Sequence, residues 1–317
     1  MIVSLTHEHD LDGLGSQAII RRYFNLSSEN RNNEITYYFA DYTNFVEKIN
    51  TILSIEPFPS QLIISDIGFN ESFKDIFSIF KKARKRGCKI SWFDHHLVDE
   101  AIKEELKSLI HLYINDIKKC AAEIVKKHYM INDPIASKIA EFARDTDFEN
   151  GKDNLASDLQ LIISYNRGIQ NDQNMHEIVR LLSQGDFHNP WFKEQLKPSK
   201  KWLEEESTFS LNHAMVFPVG LLGDIVISWA KIGGSQITRV LKKKYSNAKA
   251  FIGIDTRNKD IIIHSKFINC RELAREFEGG GHKPRAGFKY PHIFEKPDVL
   301  TQSFIEDIKK KIAKFRV

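Results

Sequence analysis

The segment His7-Glu8-His9-Asp10-Leu11-Asp12-Gly13 sets imidazoles and carboxylates side by side, directly after an apolar run and ahead of a helical pattern. In extended backbone Asp10 and Asp12 point to the same side. Two carboxylates with an imidazole at a strand end can hold a hard or borderline cation. Taken alone, the same residues would also make an Asp N-cap and a polar turn. Three further pieces change the balance. Asp66 follows the apolar run Leu62–Ser65, and Asp94-His95-His96 follow Ile90–Phe93. Arg144-Asp145-Thr146-Asp147 closes a helical stretch. Adjacent histidines after a buried strand serve no turn, so they ask for another reason.

Asp10, Asp12, Asp66 and Asp145 carry four negative charges, which two divalent cations would cancel. Without cations such a cluster repels itself. Mixed Asp and His ligands without Cys suit manganese, cobalt or iron better than a structural zinc. Two such ions, about 3.5–4 Å apart, share a water, lower its pKa and clamp a phosphoryl group. The residues therefore point to metal-assisted phosphoryl chemistry. His9 competes with His7 for a ligand place, and Asp147 competes with Asp145.

The elements that must position these groups are legible as a rhythm. Short apolar runs at Ile2–Thr6, Ile35–Ala40, Leu62–Ser65, Lys89–Phe93 and Leu112–Asn115 read as strands. Leu14–Phe24, Asn44–Leu53, Phe73–Lys85 and Glu100–Leu109 read as the helices between them. Strand and helix in alternation predict an α/β fold with a mostly parallel sheet. Ligands of such sheets bind beyond the carboxyl ends of the strands, where the acidic and histidine residues fall. From Lys119 to Glu206 the pattern is helical, with breaks at Asp133-Pro134, Gly151, Gly168 and Asn189-Pro190. Pro190–Ser210 reads as a long polar connector helix. Beyond His213 strands return at Val216–Pro218, Ile225–Ile227, Ala250–Ile254 and Ile261–His264. Ser235–Lys243, Arg271–Phe277 and Thr301–Lys314 read as helices. This predicts a catalytic domain over 1–188, a helical connector over 189–211 and a smaller α/β domain over 212–317, with the active site in the cleft between domains.

The chain has 317 residues, 42% hydrophobic and 28% charged. That balance excludes a collagen, a disulfide scaffold and a wholly disordered chain. Lys and Arg total 46 against 42 Asp and Glu, a net of +4, which permits a local basic groove without demanding a long nucleic acid. The basic run Lys81–Arg86 reads as a solvated helix end that complements the helix dipole. Cys88, Cys120 and Cys270 form no metal spacing and read as reduced, buried thiols. No leader and no membrane span is evident, so a soluble cytoplasmic protein is expected.

Asp10-x-Asp12, the strand-end Asp66, the triplet Asp94-His95-His96 and the pair Asp145-Thr146 resemble, in this order, the DHH phosphoesterase superfamily. Downstream, Gly279-Gly280-Gly281-His282-Lys283-Pro284-Arg285-Ala286-Gly287 resembles the glycine-rich motif of the DHH-associated domain. That domain is the C-terminal half of the branch of RecJ, oligoribonucleases and cyclic-dinucleotide phosphodiesterases. The resemblance implies two manganese ions, with cobalt or magnesium as alternatives. His7, Asp10 and Asp66 would bind one ion. Asp12, Asp66, His95 and Asp145 would bind the other, with Asp66 bridging. His96 would face the phosphate, and Asp94 would orient the site. His7 is preferred to His9, and Asp145 to Asp147, because they match the family's form of each motif.

The glycine run has its own physics, since Gly280 and Gly281 let backbone approach an anion and offer N–H groups to it. His282, Lys283 and Arg285 are candidate phosphate donors, and Arg binds phosphate bidentately. The sequence departs from the family at Arg285-Ala286, where relatives often carry two alanines. It departs again at Ile262-Ile263-His264-Ser265, where many carry an Arg; His264 would make a weaker, pH-dependent contact or none. The expectation is a manganese-dependent phosphodiesterase that cuts short single-stranded oligonucleotides to mononucleotides, with a homodimer left open. The alternatives are a cyclic-dinucleotide phosphodiesterase, an adenosine 3′,5′-bisphosphate phosphatase, a longer single-strand exonuclease and an inactive nucleic-acid-binding module.

Overall fold

The structure, a computed structural model, describes residues 1–27, 35–70, 73–148, 150–167, 172–296 and 298–315. Gly168, expected as a helical break, lies outside them. By its internal contacts the chain forms two units, Met1–Ser199 and Lys200–Val317.

In the first unit, β1 (Ile2–His7), β2 (Ile35–Ala40), β3 (Gln61–Ser65), β4 (Lys89–Asp94) and β5 (Leu112–Asn115) form one sheet in the order β2-β1-β3-β4-β5. Every pairing is parallel. The central strands are continuous apolar runs because helices cover both faces. Alternate residues separate into two cores. Ile2, Ile63 and Phe93 pack with α1 (Leu11–Leu26) and with α5 (Ala121–Tyr129), α6 (Pro134–Asp147), α7 (Asn154–Asn166) and α8 (Asp172–Gln184). Val3, Leu62, Ile64 and Trp92 pack with α2 (Phe45–Ile52), α3 (Asp75–Lys85) and α4 (Glu100–Leu109).

The strand order reverses between β1 and β3. At such a switch point the loops leave the sheet in opposite directions and open a crevice at the strands' carboxyl ends. The first turn of α1 is pinned there by Asp10, its N-cap, whose carboxylate accepts from the Gly13 N–H at 3.0 Å. Asp133 caps α6 in the same way, with Pro134 in its first turn, a position that needs no N–H partner.

The helix α9 (Pro190–Asn212) is shared by the two units. Its Trp191, Phe192 and Leu196 pack into the first core. Its Trp202, Leu203 and Leu211 pack in the second unit. There a six-stranded sheet runs β10-β11-β9-β8-β7-β6. Its strands are β6 (Met215–Val219), β7 (Gly223–Ala230), β8 (Ala250–Asp255), β9 (Asp260–Ser265), β10 (Gly280–His282) and β11 (Arg285–Lys289). Only β7 and β8 are parallel, and α10 (Gly234–Lys244) joins them. The helices α11 (Cys270–Arg275) and α12 (Gln302–Lys314) pack on the other face, over Ile252, Ile263 and Phe288. Among the described residues, no helix is long and apolar enough to cross a membrane.

Candidate metal centre

Parallel pairing brings the carboxyl ends of β1, β3 and β4 together. His7 ends β1, Asp66 follows β3, and Asp94 ends β4. Asp66 sits at a φ of 58°, and its N–H donates to the Phe93 carbonyl at 2.9 Å. Aspartate is among the few residues that accept this left-handed backbone. Strain of this kind persists where the surroundings over-determine it. Here it turns a buried carboxylate back over the strand ends.

The two oxygens of Asp66 face different partners. Oδ1 lies 3.3 Å from Nε2 of His95, and Oδ2 lies 3.5 Å from Nδ1 of His7. His7 is also 3.1 Å from Asp10. Nε2 of His95 is 3.5 Å from Asp12, and its Nδ1 is 3.7 Å from Asp147. Two ligand groups result, His7-Asp10-Asp66 and Asp12-His95-Asp147, with Asp66 also grouped with His95 and His96. Oδ2 of Asp66 is buried without a hydrogen-bond partner. An orphaned carboxylate oxygen is costly in a protein interior, and a cation there would satisfy it. The residues therefore fit two divalent ions of the oxygen- and imidazole-binding kind.

The electrostatics carry the same sign. Burial opposes protonation of His95, yet Asp66, Asp12 and Asp147 outweigh it and raise its pKa to about 10. Burial likewise disfavours the charged form of His7, but Asp10 and Asp66 hold it well above the ordinary range. Burial and the neighbouring Asp66 push Asp12 up. Burial, with Asp66 and Asp10, lifts Asp147 to about 6 against the pull of His95. The carboxylates draw protons onto the histidines and onto each other, and a divalent cation would displace those protons.

The supports of these groups are specific. Nδ1 of His96 is 2.8 Å from Asp94, which also accepts from the His96 N–H and from Asn115. Asn115 donates in addition to the His96 carbonyl. A Cβ on Gly68 would lie 2.6 Å from Cβ of His96, so only glycine leaves room for that ring. Both oxygens of Asp12 accept at 2.7 Å from the N–H groups of Ala121 and Ala122, at the start of α5. Gln160 accepts from the Leu11 N–H and donates to the His9 carbonyl, holding the loop between β1 and α1. Tyr42, just after β2, accepts from the Gly68 N–H at 3.1 Å. Burial pushes its phenol up, and Asp94, Asp66 and Asp10 push it further, so it stays protonated.

Asp145 was expected as a ligand, and the structure gives its carboxylate backbone partners. Its carboxylate accepts from the N–H groups of Lys152 and Asp153 at 3.0–3.1 Å. That ties the end of α6 to the start of α7. Asp147, further along the last turn, reaches His95 instead. His7 rather than His9 joins Asp66. His9 lies with Glu8 and Asp41, in a separate group beside the centre. Asp10, Asp12, Asp66 and His95 come together as the sequence suggested. Asn115, Gln160, Tyr42 and Asp147 were not singled out as members; only Asp147, as a rival to Asp145, left a trace.

The glycine run of the second unit forms one strand of a hairpin. Gly280 pairs with Gly287 and His282 with Arg285 across a turn at Lys283-Pro284. A Cβ on Gly281, at a φ of +135°, would lie 2.6 Å from Cα of Ala286, so the glycine answers a close backbone approach. Gly280, Gly281 and His282 are exposed. Register places Phe251, His264, Arg285 and His282 in one row across β8, β9, β11 and β10, and directly opposed residues share a face. Nζ of Lys242 lies 3.0 Å from Nε2 of His264. Burial, Lys242 and Lys266 hold that imidazole below its ordinary pKa, so it accepts from the ammonium as a neutral ring.

Residues 1–144 match the family described as the DHH family, N-terminal domain. No curated protein matches the chain. Among solved structures, the DHH domain of a member of a ribosomal-protein family is similar, with a TM-score of 0.68 and 14% identity over 100% of this chain and 87% of that one. CDC45 of Entamoeba histolytica is similar at 0.53 and 10%, over 99% and 95%. The pGpG-specific phosphodiesterase PggH of Vibrio cholerae is similar at 0.52 and 12%, over 99% and 98%. These likenesses establish a shared fold.

Proposed function

We propose, from the match of residues 1–144 to the DHH family's N-terminal domain, that this protein is a divalent-cation-dependent phosphodiesterase that hydrolyses short oligonucleotides to mononucleotides. The observation that carries the reading is the buried carboxylate of Asp66, held between His7 and His95 with one oxygen toward each. A binding module that had lost catalysis would have shed some of these groups. Here His7, Asp10 and Asp66 lie together, as do Asp12, His95 and Asp147, in groups that could hold a cation.

His7 and Asp10 would hold one cation, Asp12, His95 and Asp147 the other, and Asp66 would reach both. Bound, the ions neutralise the carboxylates, activate water and stabilise charge on the phosphoryl group. The rest is supplied by the chain. Asp94 accepts from Nδ1–H of His96 and so fixes which ring nitrogen is free. Burial disfavours the His96 cation, but Asp94 raises its pKa above the ordinary value. With Nδ1 tied to Asp94, Nε2 is the nitrogen through which His96 would pass a proton to the leaving oxygen. His96 is the catalytic residue of this pair and Asp94 its positioning residue.

Donors without Cys favour manganese, with cobalt or magnesium as alternatives. A net charge of +4 fits a short substrate better than a long tract, which recruits a broad basic surface. The name of the Vibrio cholerae neighbour gives pGpG as its substrate, and a dinucleotide belongs to that short class. We assign the anionic end of the oligonucleotide to His282 and Arg285. An Arg285→Ala variant is then expected to raise KM about tenfold or more with little change in kcat.

The test is product analysis with manganese. The protein is incubated separately with a two-to-five-nucleotide RNA, a twenty-nucleotide RNA, a cyclic dinucleotide and adenosine 3′,5′-bisphosphate, with Asp66→Ala as control. Mononucleotides released fastest from the short RNA support the proposal. A different preferred substrate keeps the metal chemistry and moves the substrate class. No hydrolysis of any of them, with metal bound, points to the binding module.

A further inference from the structure

Tyr42 lies outside every motif of the sequence, yet its ring stands between the two histidines that flank the centre. Ring centroids are 5.7 Å from His7 and 6.3 Å from His96, with interplanar angles of 70° and 82°. Phe73 stacks on it at 6.0 Å and 16°. The loop that carries it is fixed as well. Asp41 accepts from the N–H groups of Thr43 and Asn44 and from the Thr43 hydroxyl, and Asn44 accepts from the Asp41 N–H. The hydroxyl oxygen accepts from Gly68. Among the described residues the phenol proton itself has no acceptor.

A phenol held this way differs from its neighbours. They are carboxylates and imidazoles whose lone pairs suit cations. Among the described residues in this ring of contacts, Tyr42 offers a neutral O–H beside them. A phosphoryl group bound to two cations still presents non-bridging oxygens, and these are strong acceptors.

We propose that Tyr42 positions the substrate by donating its phenol O–H to a non-bridging oxygen of the phosphoryl group bound at the centre. The inference rests on the phosphodiesterase reading and deepens it. The Gly68 N–H orients the hydroxyl, Phe73 holds the ring plane, and the rigid loop keeps the donor in place before substrate arrives. Such preorganisation is what makes a single donor effective.

The experiment compares wild type with Tyr42→Phe, which keeps the ring contacts and removes the O–H together with the oxygen that accepts from the Gly68 N–H. The first measurement titrates inorganic phosphate into the manganese-loaded proteins by calorimetry. Phosphate is expected to bind about tenfold more weakly to the variant, with manganese stoichiometry unchanged. The second measures kcat/KM on a dinucleotide and on its two phosphorothioate diastereomers. The variant is expected to lose about 10- to 100-fold on the oxygen substrate. The discrimination that wild type makes against sulfur in one diastereomer should then shrink, because loss of the donor and loss of the oxygen remove the same bond. Equal phosphate affinity overturns the proposal, as does a sulfur effect that persists in full, since a structural role would leave it intact. If wild type cleaves no phosphodiester, the functional reading fails, and the phosphate titration still decides the role of Tyr42.

Discussion

Oδ2 of Asp147 lies 3.7 Å from Nδ1 of His95, while Asp145, in the same last turn of α6, gives its carboxylate to the N–H groups of Lys152 and Asp153. One aspartate faces the histidine and the other ties down a loop. Asp147→Asn is expected to weaken manganese binding tenfold or more, since even changes around metal ligands cost about 10–100-fold, and to leave the melting temperature of the metal-free protein level or higher. Asp145→Ala should cost about 1–3 kcal/mol of stability, through backbone donors left unpaired, with manganese stoichiometry kept. Calorimetric titration and thermal melting of both variants separate the roles, and the reverse pattern would restore Asp145 as the ligand.

Asp12 and Asp66 should respond differently to mutation although both are buried. Asp12 terminates two N–H groups at the start of α5, so Asp12→Ala leaves two buried donors bare. A loss of roughly 2–5 kcal/mol is expected, read as a fall in denaturation midpoint. Asp66 makes no such backbone bond through Oδ2. Asp66→Asn keeps a residue type that tolerates the left-handed backbone and removes the charge between the two ligand groups. It should fold, lose at least one manganese ion and lose about 10³-fold or more in turnover, on the order of removing one preorganised charge-stabilising group. Full manganese stoichiometry in Asp66→Asn would contradict its bridging place.

The protonation of the centre has a definite sign. Against burial, the surrounding carboxylates raise His95 from its ordinary 6.5 to about 10, and they raise His7 and His96 in the same direction. A histidine raised in the folded state contributes stability that is complete below pH 6.5 and is lost as pH climbs toward 10. The chelated protein should therefore melt at lower temperature as pH rises through that window. Manganese competes with the same protons, so its stabilising effect should grow with pH. Melting curves with chelator and with manganese, from pH 6 to 10, check both slopes. A chelated protein that gains stability across the window would refute the assignment.

Gly68 should be intolerant of the smallest side chain. An added methyl would sit 2.6 Å from Cβ and 2.7 Å from Cγ of His96, and His96 cannot yield without leaving Asp94. Gly68→Ala is expected to cut kcat by about 100-fold, the usual cost of an ångström-scale misplacement, with manganese still bound by His7, Asp10 and Asp66. Steady-state kinetics beside a metal titration would show it, and an unchanged kcat would remove His96 from the proton-transfer role.

Several layers of this protein were readable in the residues. The five parallel strands are short apolar runs bounded by polar turns, because a strand covered on both faces has no alternation to blur it. His7, Asp10, Asp12, Asp66 and His95 stood out because ligands that follow buried strands must gather at one edge of a parallel sheet. The hairpin strands β10 and β11 were hidden, since a run rich in glycine has little strand propensity and is made a strand by its neighbour. Gly281 there answers a close backbone approach at Ala286, a reason that only the paired strand reveals.

By itself the sequence determined the alternation of elements and the residue types that could hold divalent cations, because periodicity and strand-end position are local properties. The tertiary structure decided which candidates meet. Asp147 and not Asp145 faces His95 because the end of α6 is held by the loop that follows it. His7 and not His9 reaches Asp66 because β1 and β3 are neighbours in register. Tyr42 joins them from β2 because that strand ends beside His7. Such meetings depend on where helix and strand ends fall in three dimensions, and side chains of the same chemistry are told apart only there.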